Sequence, residues 1–255
     1  MSHKIRLVSY DSWPAFKADF IQDLTGQTSL ERNRYVFRGQ RCATWQLTPT
    51  FDRVYRHLRL EDRPSLAQKL LDYFREYLEE FQPSTADIRP LTESVQLMAL
   101  AQHYGLPTRL LDWSRSPYVA AFFAFSDLLV TGPGDDDSHV AVWALDTSSR
   151  IWGADCGVSL VNVPRHTDDR IRNQGGLFTL STVAVSSLED HHESMDPKEP
   201  ALVRFVLPQS EAQTAMEDLH MMAIHHARLF PGFEGCVQAA QCRLAPDLSD
   251  QLIRQ

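Results

Sequence analysis

Hydrophobic positions along this chain follow two different periods. Between Asp62 and Phe81 the apolar residues recur every three or four positions, a spacing that predicts an amphipathic helix. Because short β-rich runs alternate with such helical stretches and no repeat or long linker divides the chain, the pattern predicts one α+β domain over residues 1–255. The β-rich runs lie near residues 35, 142, 160, 180 and 204.

One predicted helix is apolar around its whole circumference. It runs from Pro117 to Phe125 with Ser116 as its N-cap, and a helix of this kind is buried. The preceding residues place several polar and charged side chains between two apolar segments, and each needs a partner once water is removed. Two interpretations are open. The segment is either a structural corner in which Asp112 caps the helix and pairs with Arg109, or the wall of a site for an anionic ligand.

The β-rich run from Arg34 to Gln40 carries an arginine in its interior. With the two-residue period of a strand, Arg38 shares a face with Val36, so we expect this arginine to be partly buried near the end of the strand. A guanidinium in such a position has either a structural carboxylate partner or a bound anion. The sequence alone leaves both interpretations open.

The charge balance restricts the class of partner. The chain has 25 Lys and Arg residues against 33 Asp and Glu residues, a formal net charge of -8. This balance argues against bulk nonspecific binding of nucleic acid, although it is compatible with a local basic groove. Arginines cluster near the strand of Arg38, and they indicate either an RNA or DNA contact or a solvated face. They are Arg34, Arg41, Arg53, Arg56 and Arg59.

The cysteines and the apolar runs limit the compartment. None of the four cysteines has CxxC spacing, and no HExxH pattern includes His191 and His192, so the sequence predicts reduced thiols and no bound metal. The longest apolar run, from Val119 to Phe125, is too short to cross a bilayer, and the N-terminus lacks a signal-peptide pattern. We therefore expect a cytoplasmic protein with no membrane partner.

Several blocks of the sequence are similar to one protein family. Phe37-Arg38-Gly39-Gln40 carries the motif that names the FRG domain family. The family's last block departs from its usual pattern here, because Gly232 and Glu234 stand where aspartates are common. On this resemblance the chain is identified as a member of the family. The similar blocks cover residues 35–50, 102–124, 170–182 and 229–242.

The resemblance implies a fold. FRG domains occur in bacterial and phage-associated proteins, often beside toxin–antitoxin or anti-phage defence modules, and they look related to ADP-ribosyltransferases. Phe37-Arg38-Gly39 resembles the strand-end Arg-Gly of those transferases, and Phe178–Thr182 is similar to their Phe-x-Ser-Thr-Ser strand. The implied fold is ADP-ribosyltransferase-like: a split pair of small β-sheets around a cleft, with flanking helices.

The resemblance also implies an activity. The expected function is that of an NAD-dependent ADP-ribosyltransferase acting as an intracellular toxin or anti-phage defence effector. NAD is its expected substrate, a protein or RNA/DNA its acceptor, and an antitoxin or other neutralising protein a partner. Two other functions stay open, an NAD glycohydrolase and a non-catalytic nucleotide-sensing module. No GxGxxG motif follows a predicted strand, so a Rossmann mode of NAD binding is not expected.

The expected site residues follow from the chemistry of NAD cleavage, which passes through an oxocarbenium-like state. Such a site needs a cation for the pyrophosphate, a carboxylate near the ribose, an aromatic ring for stacking, and hydrogen-bonding groups. With the resemblance, this requirement assigns Arg38 to the phosphates and Asp112 or Glu234 to the ribosyl cation, and it places Gln174 in the pocket wall. The other expected NAD contacts are Gln40, His103, Tyr104, Thr108, Arg109, Trp113, Ser114, Phe178 and Thr179.

Overall fold

The computed structural model describes residues 5–27, 31, 33–81, 94–132, 138–162 and 176–253. Within these ranges one seven-stranded sheet has the order β1-β7-β4-β2-β3-β6-β5. The first two strands in this order run parallel, and every other neighbouring pair is antiparallel. The strands are β1 (Arg6–Ser9), β2 (Tyr35–Gln40), β3 (Leu110–Ser114), β4 (His139–Asp146), β5 (Val158–Val161), β6 (Gly176–Ser181) and β7 (Leu202–Pro208).

Helices flank this sheet, so the fold mixes α and β elements, as the α+β prediction requires. Short 3₁₀ turns cover Leu60–Asp62, Ala154–Cys156 and Gln209–Glu211. The helices in the described ranges are α1 (Trp13–Thr25), α2 (Thr50–Val54), α3 (Arg63–Phe81), α4 (Ser94–His103), α5 (Pro117–Phe125), α6 (Leu128–Thr131), α7 (Leu188–Met195), α8 (Ala212–Met221), α9 (His226–Leu229) and α10 (Phe233–Ile253).

Hydrophobic side chains cover both faces of the sheet. On one face, Phe37 of β2 and Val142 of β4 pack with residues of α1, α5 and α8 in the larger core cluster. On the other face, Val36 and Trp143 belong to a second cluster. Neighbouring residues of each strand therefore alternate between two cores, as the period of a strand requires. Arg38 follows this alternation and falls on the face of Val36, as the sequence predicts.

Helix α5 begins and ends as its sequence predicts, and α1 has the same kind of N-cap. The Ser12 side chain accepts a hydrogen bond at the start of α1, and Gly26, with φ of 69°, follows its last residue. The Ser116 side chain caps α5 in the same way, and Pro117 occupies the first turn. Most residues of α5 are buried, which confirms the interpretation of its apolar circumference.

Helix α5 packs directly on the end of β2. A Cβ atom added to Gly39 would lie 1.9 Å from the main-chain oxygen of Ala120, a distance that no real side chain tolerates. Only glycine permits this approach. The close contact fixes the end of β2, and with it the position of Arg38.

In the middle of the sheet, strands β2 and β3 are joined by a single pair of residues. Strand β2 pairs with β4 along its whole length, and β3 does the same with β6, but β2 and β3 share only Phe37 opposite Ser114. Continuing this register would place Gly39 opposite Asp112, and that pair does not form. The prediction of two separate small sheets therefore needs correction: the described strands form one sheet, whose two parts separate on one side of this pair.

The corner before α5 is more regular than the sequence indicated. Gly105, with φ of 89°, makes the predicted bend after α4. Residues 110–114 then form strand β3, which the sequence analysis missed. Leu110, Leu111 and Trp113 are all buried, so the strand lacks the simple alternation of buried and exposed residues by which a strand is recognised.

Two helices lie outside the predicted elements. His191 and His192 lie in helix α7, where their ring nitrogens have main-chain partners in the interior at Ile151 and Ala201. The last helix, α10, is 21 residues long. Among the described residues, no helix combines the length and the apolar character that a bilayer span requires.

Candidate functional site

A cleft of about 960 Å³ opens where β2 and β3 separate. Its walls come from the facing ends of these strands, the segment after β2, one side of α5 and the turn after α9. Its volume falls within the range of small-molecule sites. The charged residues in its wall are Arg38, Arg41, Arg53, Asp112 and Asp127. The aromatic residues are Phe37, Trp45, Trp113, Phe123 and Phe230.

The Arg38 guanidinium reaches across the gap between β2 and β3. Its Nη1 donates to the main-chain oxygen of Asp112 at 2.7 Å and lies 3.6 Å from Asp112 Oδ2. Its Nε is buried and, within the described part of the chain, has no hydrogen-bond partner. Burial lowers the pKa of Arg38, and the charge of Asp112 opposes this shift. The side chain as a whole is 20% exposed, so part of the guanidinium stays open to a partly dehydrated cleft, where a bond to an anion is strong.

Asp112 presents its carboxylate to the cleft. Its side chain is 59% exposed, although its neighbours in β3 are buried. Gln102 Nε2 donates to Oδ1 at 2.8 Å, and Oδ2 faces Arg38. Asp112 does not cap α5, because Ser116 does so, and it does not pair with Arg109, whose carboxylate partner is Asp52. Of the two interpretations of this corner, the described contacts therefore favour a site wall.

Arg53 brings a second guanidinium to the same place. Its two terminal nitrogens donate to the main-chain oxygen of Thr48 and to Thr50 Oγ1. Burial lowers the pKa of Arg53, and the charge of Asp112 again opposes the shift. The Arg53 charge in turn helps to lower the pKa of Arg38. Two mutually repelling guanidiniums beside one carboxylate suit a ligand that carries more than one negative charge.

Aromatic surfaces flank these charges. The Trp45 side chain is 52% exposed at the cleft wall. The rings of Phe123 and Phe230 also line the cleft, with centroids 5.9 Å apart and planes at 87°. Flat apolar surfaces of this kind can stack the rings of a nucleotide while the arginines hold its phosphates.

Asp127 is the second carboxylate in the cleft wall. Asp127 is exposed. Burial lowers the pKa of His226, and the negative charge of Asp127 opposes that shift. Among the described residues, no group of three or more His, Cys, Asp or Glu side chains could hold a metal ion. The residues of this cleft thus suit an organic anion with aromatic rings.

The strands and charges of the cleft fall within a segment that matches a known family. Residues 33–130 match the family model of the FRG domain. This segment is similar to the FRG domain. The matched segment holds Arg38, Arg53 and Asp112 together with β2, β3 and α5, whereas Phe230 lies beyond it. No curated protein and no solved structure gave a significant match.

The cleft contains part of the site that the sequence predicts. The predicted residues that line it are Arg38, Gln40, Asp112, Trp113 and Ser114. Gln40 uses its amide within the protein, where its oxygen accepts from Trp143 Nε1 at 2.7 Å. Trp113 is 2% exposed and donates to Thr179 Oγ1 at 3.1 Å. Arg38 and Asp112 are therefore the predicted residues best placed to contact a ligand directly.

Two residues predicted to contact NAD, Arg109 and Thr108, are buried outside the cleft. Arg109 is 2% exposed and uses its whole guanidinium inside the protein, with bonds to Asp52 Oδ2 at 2.9 Å and to the main-chain oxygens of Val183 and Val185 at 2.8 and 2.9 Å. Thr108 is 4% exposed and also lies outside the cleft. Neither side chain reaches the cleft, and the direct NAD contact expected at Arg109 and Thr108 stays a prediction.

Four further predicted contacts also lie outside the cleft. His103 and Tyr104 stand exposed at the end of α4, where their rings contact each other at 5.2 Å. Phe178 and Thr179 are buried in β6, which β3 separates from β2. The bend at Gly105 sends the first pair outward, and the strand order keeps the second pair away from Arg38.

Glu234 and Gln174 are the remaining residues predicted for the catalytic site, and only Glu234 lies among the described residues. Glu234 is exposed in the first turn of α10 and does not line the cleft. Asp112 is thus the predicted carboxylate that shares the cleft with Arg38. Gln174 lies outside the described residues, so its predicted place in the pocket wall is untested.

Four of the five arginines in the predicted cluster have different environments. Arg34 pairs with Asp146 at 3.0 Å, and Arg59 pairs with Asp62 at 2.9 Å, whereas Arg41 and Arg53 line the cleft. These contacts divide the four arginines between surface ion pairs and the candidate site. The sequence spacing alone does not distinguish the two groups.

Several cleft residues were not predicted as site residues. Trp45 belongs to a family block, but only the structure shows that its ring is exposed. Phe123 lies on a helix that is apolar all round, so no spacing marks the side that faces the cleft. Phe230 belongs to the family block at residues 229–242, but no local pattern connects that block to β2. Arg53 had a signal, since it was part of the basic cluster.

Proposed function

We propose that this protein is an NAD-dependent ADP-ribosyltransferase and that the cleft between β2 and β3 is its active site. The observation that carries the proposal is the pairing of Arg38 with Asp112, a guanidinium side chain that is 20% exposed beside an exposed carboxylate 3.6 Å from Nη1. A site that only binds an anion gains nothing from a carboxylate there, because like charges repel. A carboxylate is useful where positive charge develops, as in an oxocarbenium-like transition state.

The residues of the cleft fit NAD in charge and shape. Arg38 and Arg53 supply paired cations for its two phosphates, and Arg41 adds a third at the wall. Trp45 offers an exposed ring on which the adenine or the nicotinamide can stack. The volume of about 960 Å³ falls at the upper end of the range for small-molecule sites, as an extended dinucleotide requires.

The proposed reaction uses the two charges for different steps. Arg38 holds the pyrophosphate so that the nicotinamide-bearing ribose lies at Asp112. The bond between ribose C1′ and the nicotinamide nitrogen breaks, and both electrons leave with neutral nicotinamide. The Asp112 carboxylate stabilises the positive charge that develops on the ribose. A lone pair of the acceptor then bonds to C1′, and the acceptor's proton passes to Asp112 and from there to water.

Incubation with labelled NAD tests this proposal and separates it from its alternatives. The full chain is mixed with NAD labelled in its adenylate half, in the presence of desalted cell extract. Label on protein or nucleic acid supports transfer, and free ADP-ribose supports hydrolysis by an NAD glycohydrolase. Intact NAD that remains bound supports a sensing module. Arg59→Ala is the matched control, because Arg59 is an exposed arginine whose ion pairs lie on the surface.

The role as a toxin or defence effector rests on the FRG resemblance and is part of the proposal. We expect expression of the full chain to arrest cell growth, because transfer of ADP-ribose to cellular targets would inactivate them. Arg38→Ala should relieve the arrest while the protein stays folded, and Arg59→Ala should not. Equal toxicity of the Arg38→Ala variant would show that the cleft is not responsible.

A further inference from the structure

A chain of hydrogen bonds runs from the β3 backbone to the cleft carboxylate. The Leu110 main-chain N–H donates to Thr108 Oγ1 at 3.2 Å, and this hydroxyl donates to Gln102 Oε1 at 2.5 Å. The Gln102 Nε2 then donates to Asp112 Oδ1 at 2.8 Å. The chain therefore joins the buried Thr108 to the exposed Asp112 through one side-chain amide.

The carboxylate fixes the direction of this chain. An Asp112 carboxylate oxygen can only accept, so the Gln102 NH₂ group faces Asp112 and the Gln102 oxygen faces Thr108. The Thr108 hydroxyl, which already accepts from the Leu110 main-chain N–H, donates its single proton to that oxygen.

The elements around this chain hold its members in place. Gln102 belongs to the last turn of α4, and the bend at Gly105 returns the backbone to β3. Thr108 is 4% exposed, which restricts its hydroxyl to these partners. Asp112, by contrast, stands on an open strand edge, and its own exposure leaves its rotamer free unless another group fixes it.

We propose that Gln102 is a positioning residue, oriented by Thr108, that holds Asp112 Oδ1 so that Oδ2 stays beside Arg38 and faces the bound ribose. This inference rests on the proposed function, since it concerns the carboxylate of that site. It gives Thr108 a role different from the NAD contact expected from the sequence: Thr108 acts through Gln102 and does not touch the substrate.

Four variants of the full chain test the inference by steady-state kinetics of NAD consumption. Gln102→Ala removes the donor to Asp112, and Thr108→Val removes the hydroxyl while keeping the side-chain shape. We expect each to lower kcat about tenfold, less than loss of the carboxylate itself, with KM for NAD nearly unchanged. Thr108→Ser keeps the hydroxyl and should restore kcat. Gln213→Ala is the matched control. It removes a side-chain hydrogen bond on the exposed surface, in which Gln213 Nε2 donates to Glu217 Oε1 at 3.0 Å.

Crystal structures of the same variants give a readout that needs no activity. In the Gln102→Ala and Thr108→Val proteins, we expect Asp112 to leave its rotamer and its Oδ2 to move away from Arg38. An unchanged Asp112 in both structures, or an unchanged kcat in both variants, would overturn the inference. If wild-type protein leaves NAD intact, the proposed function fails instead, and the Asp112 position alone then decides whether Gln102 holds it.

Discussion

Two arginine–aspartate pairs in this protein have the same composition and opposite environments. Arg109 and Asp52 lie in the interior, with Nε and Oδ2 2.9 Å apart, and neither side chain is more than 2% exposed. Arg38 and Asp112 lie in the cleft with 3.6 Å between Nη1 and Oδ2, and the Asp112 side chain is 59% exposed. The first pair is closed to any ligand, and the second is open to one.

The difference lies in how many donors are already used. Arg109 donates from all three nitrogens to Asp52 and two main-chain oxygens, while Arg63 approaches the same carboxylate at 3.7 Å. Arg38 makes one strong bond, to a main-chain oxygen, and within the described residues its Nε has no partner. A buried guanidinium that uses all three nitrogens stabilises a fold, whereas a partly exposed one with fewer bonds can still bind a ligand.

Removing either member of the open pair should have the largest effect on activity. We expect Asp112→Asn to lower kcat for NAD cleavage by about 10²–10⁴-fold, the usual contribution of a group that stabilises or transfers charge in the reaction. Because the Asp112 side chain is mostly exposed, its free energy of unfolding in urea should stay within about 1 kcal/mol of the wild type. Retention of wild-type kcat would remove Asp112 from the mechanism.

Breaking the closed pair should act on stability. Arg109→Met leaves the Asp52 carboxylate buried beside Arg63 alone, and loss of one partner of a buried pair costs about 3–5 kcal/mol. We expect a loss of this size in the free energy of unfolding, measured by urea denaturation. A variant with normal stability but no NAD cleavage would show that Arg109 serves the site directly, and the contrast between the two pairs would fail.

A smaller effect is expected at the second cleft arginine. Arg53→Ala should raise the KM for NAD about tenfold, the value of one charge-assisted hydrogen bond to a phosphate, while kcat changes little. Arg59→Ala provides the comparison, since Arg59 lies in a surface ion pair. Equal effects of the two substitutions would mean that Arg53 contributes only general positive charge.

The smallest expected effect is on the pH dependence of stability, and it concerns the buried side chain of His192. His192 Nε2 accepts from the Ala201 main-chain N–H at 3.2 Å, and burial lowers the pKa of His192. A lowered pKa means that the unfolded chain binds the proton more readily, so this contribution to stability is present above about pH 6.5 and is lost as pH falls. His192→Gln should flatten the decline of the unfolding free energy below that pH. An identical slope in both proteins would contradict the assignment.

Local patterns predicted the parts of the site that depend on local rules. The N-cap of α5, the burial of α5 and the face occupied by Arg38 all follow from side-chain type and period. The carboxylate partner of Arg38 was one of two open interpretations, and Asp112 at 3.6 Å is that partner. Its accessibility, and the unused Nε, depend on the separation of β2 from β3, which no local pattern reports.

Nonlocal contacts account for most of what was missed. The corner placed Arg109 and Asp112 three residues apart, and the sequence allowed them to pair. Instead Arg109 reaches Asp52, 57 positions earlier in the chain, and the neighbouring strand β3 turns Asp112 to the cleft. Strand order and burial thus determine the environments of Arg109 and Arg38, and the spacing of polar residues along the chain does not predict either.

The release of nicotinamide from NAD by the full chain tests the central claim most directly. We predict that the wild-type protein and the Arg59→Ala variant release nicotinamide at similar rates, and that Arg38→Ala and Asp112→Asn release it at least about a hundredfold more slowly while remaining folded. Intact NAD with the wild-type protein, or undiminished release by both cleft variants, would contradict the assignment of this cleft as the site of NAD cleavage.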